Sequence, residues 1–286
     1  MSFHPDRKKI IEYIEERHLS DGGFFFARVL PSQPRDTYFA TLTLTLLNAD
    51  FDKDAVLRFW DKEINANIFL RFSGIFWAID SLRLLKKSRS VFEKQWKSYA
   101  TSLIKDHHEL AQFFDYPIAE LRPDAFDSVM LNISLTNEYL EELFSLVSLY
   151  RSLEQEFDEG RVALHVSGFQ QKDGGFGRRN ASDTGMTLNA LRIFQVLRRD
   201  PPNKRKIRAY LQGQFLKFDY LESLFDVTEG LALLNDSPLP HKEAALDFIS
   251  SCQRNNGGFS RAMATGIPTL ENTYQAVSIL RNYKIL

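Results

Sequence analysis

The sequence predicts an all-α chain built from about six helical hairpins, on three observations. A Gly-Gly-Phe turn leading into a helix start occurs three times. An apolar spacing anchored on those copies continues through the rest of the chain. Helical segments poor in charge alternate with segments rich in it, as in a two-layered helical protein.

The three strong copies are 21-DGGFFFARVLPSQPRDTYFATLTLTLL-47, 173-DGGFGRRNASDTGMTLNALRIF-194 and 256-NGGFSRAMATGIPTLENTYQAVSIL-280. Each is a glycine turn, a variable loop, then Asp or Asn heading a helical pattern. Asp36, Asp183 and Asn272 therefore read as equivalent anchors. A small or apolar residue four positions on and Leu or a similar residue eight positions on place one stripe on one helix face. Asp36 leads to Ala40 and Leu44, Asp183 to Thr187 and Leu191, and Asn272 to Ala276 and Leu280. Weaker anchors follow the same rule at Gly74, Asp127 and Asp226, which completes six units.

Along the chain, MSFHPDRKKIIEYIEERHL is charged and helix-patterned, not an apolar leader. Second helical patterns with charged faces lie between the anchored ones, at 53–64, 91–107, 138–157, 204–217 and 241–253, and these predict an outer layer. The anchored segments 38-YFATLTLTLL-47 and 129-VMLNISL-135 are poor in charge, as enclosed helices should be. Pro201, Pro202, Pro238 and Pro240 fall between helices, where proline is tolerated. No strand alternation stands out; 24-FFFARVL-30 is the best short candidate. His107 and His108 would diverge by about 100° on a helix, a solvated face and not a metal site.

Composition narrows the function. A net charge of −1 from 36 basic and 37 acidic residues gives no field to draw nucleic acid or an anionic membrane. One cysteine, Cys252, excludes an internal disulfide and a multi-cysteine zinc site, and with no apolar run of spanning length the expectation is a cytoplasmic protein. The 24 phenylalanines point to a large aromatic surface. Nothing reads as a linker, so residues 1–286 are expected to form a single domain.

The repeated Gly-Gly-Phe turn with its Asp/Asn-Thr helix start resembles the repeats of protein prenyltransferase β subunits and of squalene and oxidosqualene cyclases. The resemblance implies an α/α toroid (an α6/α6 barrel), with six inner helices around a cavity whose aromatic walls receive an isoprenoid. Tyr38, Phe39, Phe76, Trp77, Phe225 and Tyr274 would line that cavity; the same residues could equally pack inner against outer helices. In the prenyltransferases zinc sits on an Asp at a helix start, a Cys two residues later and a His after a Tyr. Those places fall here on Asp226, Thr228 and Gln275, so no metal and no cofactor is expected.

In squalene-type cyclases the proton comes from the third residue of Asp-x-Asp-Asp, which falls on Ser182 in 180-NASD-183. Only Asp183 matches. The oxidosqualene cyclase stretch Asp-Cys-Thr-Ala-Glu has a shortened echo in 226-DVTEG-230. Asp226, Asp183 and Glu229 are therefore the candidate catalytic residues for metal-independent, acid-initiated cyclisation. Asp36, Asp127, Asp183 and Asp226 also suit a helix N-cap, whose side chain accepts an otherwise unpaired N–H. Three readings remain open: an isoprenoid-binding cyclase, a non-catalytic toroid for lipid or protein partners, and a zinc-less β-like subunit needing a helical partner.

Overall fold

Helices dominate the computed structural model, which describes residues 5–26, 30–65, 72–85, 126–215, 217–235, 239–263 and 265–286, with 94, 97, 98 and 101. His107 and His108, most of the 91–107 segment and part of the 24–30 strand candidate lie outside the described residues. Eleven helices are present among those described: α1 (Arg7–Glu15), α2 (Pro34–Leu46), α3 (Lys53–Asn65), α4 (Phe72–Leu84), α5 (Phe126–Ser152), α6 (Glu159–Ser167), α7 (Thr184–Val196), α8 (Lys204–Gln214), α9 (Leu221–Leu233), α10 (Lys242–Cys252) and α11 (Leu270–Asn282).

The chain divides into two compact units. In the first, comprising Met1–Leu70, Trp77–Ser90 and Leu211–Leu286, α11 packs against both α2 and α9, while α1 and α3 lie on α2 and α10 on α9. Ala40, Leu44, Leu231, Ala276 and Leu280 are wholly removed from solvent at these helix contacts. In the second unit, comprising Arg71–Phe76 and Val91–Tyr210, α7 packs on α5 and α6 on α7.

The Gly-Gly-Phe copies fold alike, and their hydrogen bonds define the repeat better than the sequence did. Gly22, Gly174 and Gly257 have φ of +91°, +100° and +89°, a region closed to most side chains. Asp21, Asp173 and Asn256 accept the N–H of Gly23, Gly175 and Gly258 at 3.1, 3.1 and 3.2 Å. The N–H groups of the buried Phe24, Phe176 and Phe259 then donate to the hydroxyls of Thr37, Thr187 and Thr273 at 2.9, 2.9 and 3.2 Å. Those threonines are therefore the true equivalents, and they correct the register. Asp36 and Asn272 are each the third residue of a helix, but the third residue of α7 is Met186; Asp183 stands just before the helix as its N-cap. A slip of three residues turns a helix by about 300°, so the apolar stripe reads almost unchanged and hides the error.

Two further expectations are corrected. Residues 126–152 form one helix of 27 residues, not an anchored helix at Asp127 followed by a separate outer one from 138. No Gly or Pro interrupts the segment, which packs on α7. Two short antiparallel hairpins also appear inside the repeats: β1 (Phe176–Arg178) with β2 (Ala181–Asp183), and β3 (Phe259–Ser260) with β4 (Pro268–Thr269). Strands of two or three residues are too short to show alternation in sequence.

Candidate functional site

Helices α2, α4, α9 and α11 each have 13 residues and carry rings at matching places from their starts, whereas α7, of the same length, has Leu188 and Asn189 at its fifth and sixth places. The fifth place is aromatic in each of those four: Tyr38, Phe76, Phe225 and Tyr274. The sixth holds Phe39, Trp77, Asp226 and Gln275. All six residues expected to line a cavity thus occupy one level of the repeat.

Five of them form a continuous row of rings in the first unit. Tyr38 stacks on Trp77 with centroids 6.1 Å apart, Tyr38 meets Phe39 at 5.5 Å, Phe39 meets Tyr274 at 5.4 Å, and Tyr274 meets Phe225 edge-on at 5.7 Å. Phe39, Trp77 and Tyr274 are only half-buried, so the row is not sealed inside the helix packing. Phe76 belongs to the second unit, where it packs edge-on against Phe144 at 5.2 Å; the Arg192 guanidinium lies 5.8 Å over the Phe144 ring.

Two carboxyls that the sequence had not singled out as acids are pushed toward the neutral form, and one of them, Asp80, is bonded to this row. Asp80, the ninth residue of α4, accepts a hydrogen bond from the Tyr38 hydroxyl at 3.0 Å. Burial pushes its carboxyl above the ordinary range, against the opposing pull of the Tyr38 hydrogen bond and the Arg83 charge. Asp36 is 5% exposed, and burial raises its carboxyl from 3.8 to about 6; the Arg35 charge lowers it and the Glu271 charge raises it further. Arg35 and Glu271 pair with each other at 2.8 Å across α2 and α11. Asp36 had been read as a cap, yet the N-cap of α2 is Gln33.

The three expected acids separate. Asp183 is committed to capping: its side chain accepts the Met186 N–H at 2.7 Å. Ser182, which stands where a cyclase would have its proton donor, gives its hydroxyl proton to Asp173 at 2.6 Å and so staples the turn. Asp226 is the sixth residue of α9 and not its start, because Tyr220 is the N-cap. It thereby leaves the place that a zinc-binding Asp or a cap would hold and shares the level of Phe39 and Trp77. Glu229 lies one turn further along and accepts from the Asn282 amide at 2.8 Å.

The other two zinc positions are spent on the fold. The buried Thr228 hydroxyl donates to the Leu224 carbonyl at 2.9 Å, and Gln275 accepts from the Asn272 amide at 3.1 Å. Among the described residues no group of three His, Cys, Asp or Glu side chains is placed to hold a metal ion. Nor is any helix among them long and apolar enough to cross a membrane. Partly exposed aromatic faces thus stand beside one carboxyl, Asp80, that burial holds toward its neutral form.

Comparison with known proteins agrees with this architecture. A family model described as the prenyltransferase alpha-alpha toroid domain matches residues 2–66, 54–220 and 205–284. No curated protein matches the chain significantly. Among solved structures, the Candida albicans protein geranylgeranyltransferase-I complexed with GGPP is similar with a TM-score of 0.69 and 11% identity, over 99% of this chain and 92% of that one. A point variant of the type II terpene cyclase MstE from Scytonema, in complex with geranylgeranyl dihydroxybenzoate as substrate, gives 0.59 and 11%, over 98% and 95%. A protein from Actinoplanes gives 0.56 and 11%, over 97% and 98%. At such identities the likeness carries the fold, which is all-α and an α/α toroid.

Proposed function

The chain belongs to the prenyltransferase alpha-alpha toroid family, and on that footing we propose that it binds an isoprenoid or similar apolar chain along the row Trp77–Tyr38–Phe39–Tyr274–Phe225. That row is the observation that carries the reading. A branched polyene has no polar group to direct it along its length, so shape and aromatic faces must do so, and the half-buried Phe39, Trp77 and Tyr274 rings still have apolar surface to cover. The solved relatives support the choice of ligand class, since one holds GGPP and another a geranylgeranyl-bearing aromatic acid.

A second reading, acid-initiated cyclisation without a metal, is favoured by one further observation: Asp80, whose carboxyl burial pushes toward the neutral form, is hydrogen-bonded to Tyr38 of the row. A neutral carboxyl can give a proton to an alkene, and the faces of Trp77 and Tyr38 can stabilise the cation that results. Asp226 and Glu229 remain candidate acids on this reading. Asp183 is reduced to its structural role.

Titration of the protein with geranylgeraniol, followed by tryptophan emission and by isothermal calorimetry, tests the binding reading. Saturable binding that weakens at least ten-fold in Phe39→Ala and Tyr274→Ala supports it. Absence of saturable binding to geranylgeraniol, geranylgeranyl diphosphate and squalene alike rejects it.

A further inference from the structure

We propose that Asp80 is the group that protonates the terminal double bond of the bound polyene, with Tyr38 as its positioning residue; this deepens the cyclisation reading and rests on it. Three observations lead there. The Tyr38 hydroxyl donates to Asp80 Oδ2 at 3.0 Å, which ties the carboxyl to the row of rings. Trp77 precedes Asp80 by three residues on α4, so the two share a face of that helix. The Trp77 ring is in turn the one that stacks on Tyr38. A chain lying on Trp77 and Tyr38 therefore meets the Asp80 carboxyl at the edge of the same aromatic surface.

The fold has no need of an acid at this place. The ninth residue is Leu42 in α2, Ser278 in α11 and Glu229 in α9, so a carboxyl there is neither a cap nor a repeat requirement. Burial outweighs the two influences that favour the anion, the Tyr38 hydroxyl from α2 and Arg83 on its own helix. Of the other carboxyls, Asp183 is tied to the Met186 N–H and Glu229 to the Asn282 amide.

The step balances without a co-reactant other than water. The Asp80 O–H bond breaks as the alkene π pair forms a C–H bond at the less substituted carbon. The tertiary cation left behind is attacked by the next double bond, which closes a ring. The last cation loses a proton to water, Asp80 is reprotonated from solvent, and the product is an isomer of the substrate.

The test uses the full chain with squalene, 2,3-oxidosqualene and geranylgeranyl diphosphate in EDTA, with products separated and weighed by mass spectrometry. Asp80→Asn should lower formation of equal-mass cyclic product by at least about 100-fold, the range expected of a lost general acid. Ligand affinity should stay within three-fold, and Asp183→Asn, at a carboxyl used only to cap α7, should remain active. Tyr38→Phe removes a hydrogen bond that stabilises the carboxylate, so the alkaline limb of its pH–rate profile should move to higher pH; a merely structural tyrosine would not move it. Turnover retained in Asp80→Asn but lost in Asp226→Asn overturns the assignment and leaves cyclisation standing, as does an unmoved limb in Tyr38→Phe. Binding with no cyclic product from the unaltered protein overturns both and leaves isoprenoid binding intact.

Discussion

Replacing Asp36 by Asn should stabilise the protein at neutral pH, although it removes a charge from the first turn of a helix. Asp36 is 5% exposed and its carboxyl is raised from 3.8 to about 6 by burial. A folded-state value above the unfolded one means that the folded protein binds the proton more tightly. Stability is therefore greatest below 3.8 and falls as pH rises to about 6, after which the loss is complete. At about 1.36 kcal/mol per pH unit, the window from 3.8 to about 6 corresponds to roughly 3 kcal/mol. The helix dipole returns about 0.3–1 kcal/mol of that to the charged form. Asn272 occupies the same place in α11, so an amide fits there. Urea unfolding of both proteins between pH 4 and pH 8 should show Asp36→Asn more stable by about 2 kcal/mol at pH 7.5, with the gap closing toward pH 4. A variant less stable than its parent at pH 7.5, or a gap independent of pH, would refute the reasoning.

Three other outcomes follow from the repeat geometry. A Cβ at Gly257 would lie 2.2 Å from the Lys9 carbonyl oxygen at a φ of +89°, whereas Gly266 at +88° has open space around it. Gly257→Ala should cost well over 2 kcal/mol in urea melts and Gly266→Ala only about 1–2 kcal/mol; equal costs would show that strain, not contact, governs the turn. Thr187→Val and Thr273→Val each strand a buried phenylalanine N–H and should cost about 1–3 kcal/mol, with comparable values if the two positions are equivalent. Asp183→Ala should cost about 1 kcal/mol of stability and leave affinity for geranylgeraniol unchanged; a loss of binding or turnover with stability intact would return Asp183 to the list of acids.

What could be read from the sequence follows the range of the interactions concerned. Helix periodicity and the Gly-Gly-Phe turns are local, so the helical class and the repeated turns were legible. Register was not, because Asp183 and Asp226 each sit three places from the true anchor and a helix tolerates that shift in its apolar stripe. The Thr37, Thr187 and Thr273 hydroxyls would have fixed it, yet the turn-to-threonine bond spans 13, 11 and 14 residues across loops of unequal length. The lack of Gly and Pro in 126–152 allowed one continuous helix, but the anchor spacing imposed a break there. Asp80 carries no motif at all; its partner Tyr38 lies 42 residues away, and only the fold brings them together.

The most direct test of the account is photo-crosslinking with a diazirine-bearing geranylgeranyl probe, followed by peptide mapping. Adducts competed away by unlabelled geranylgeraniol should fall on Tyr38, Phe39, Trp77, Phe225 or Tyr274, at the fifth and sixth places of their helices. Competable adducts confined to α1, α3 or α10, or none at all, would contradict an isoprenoid seated on the aromatic row.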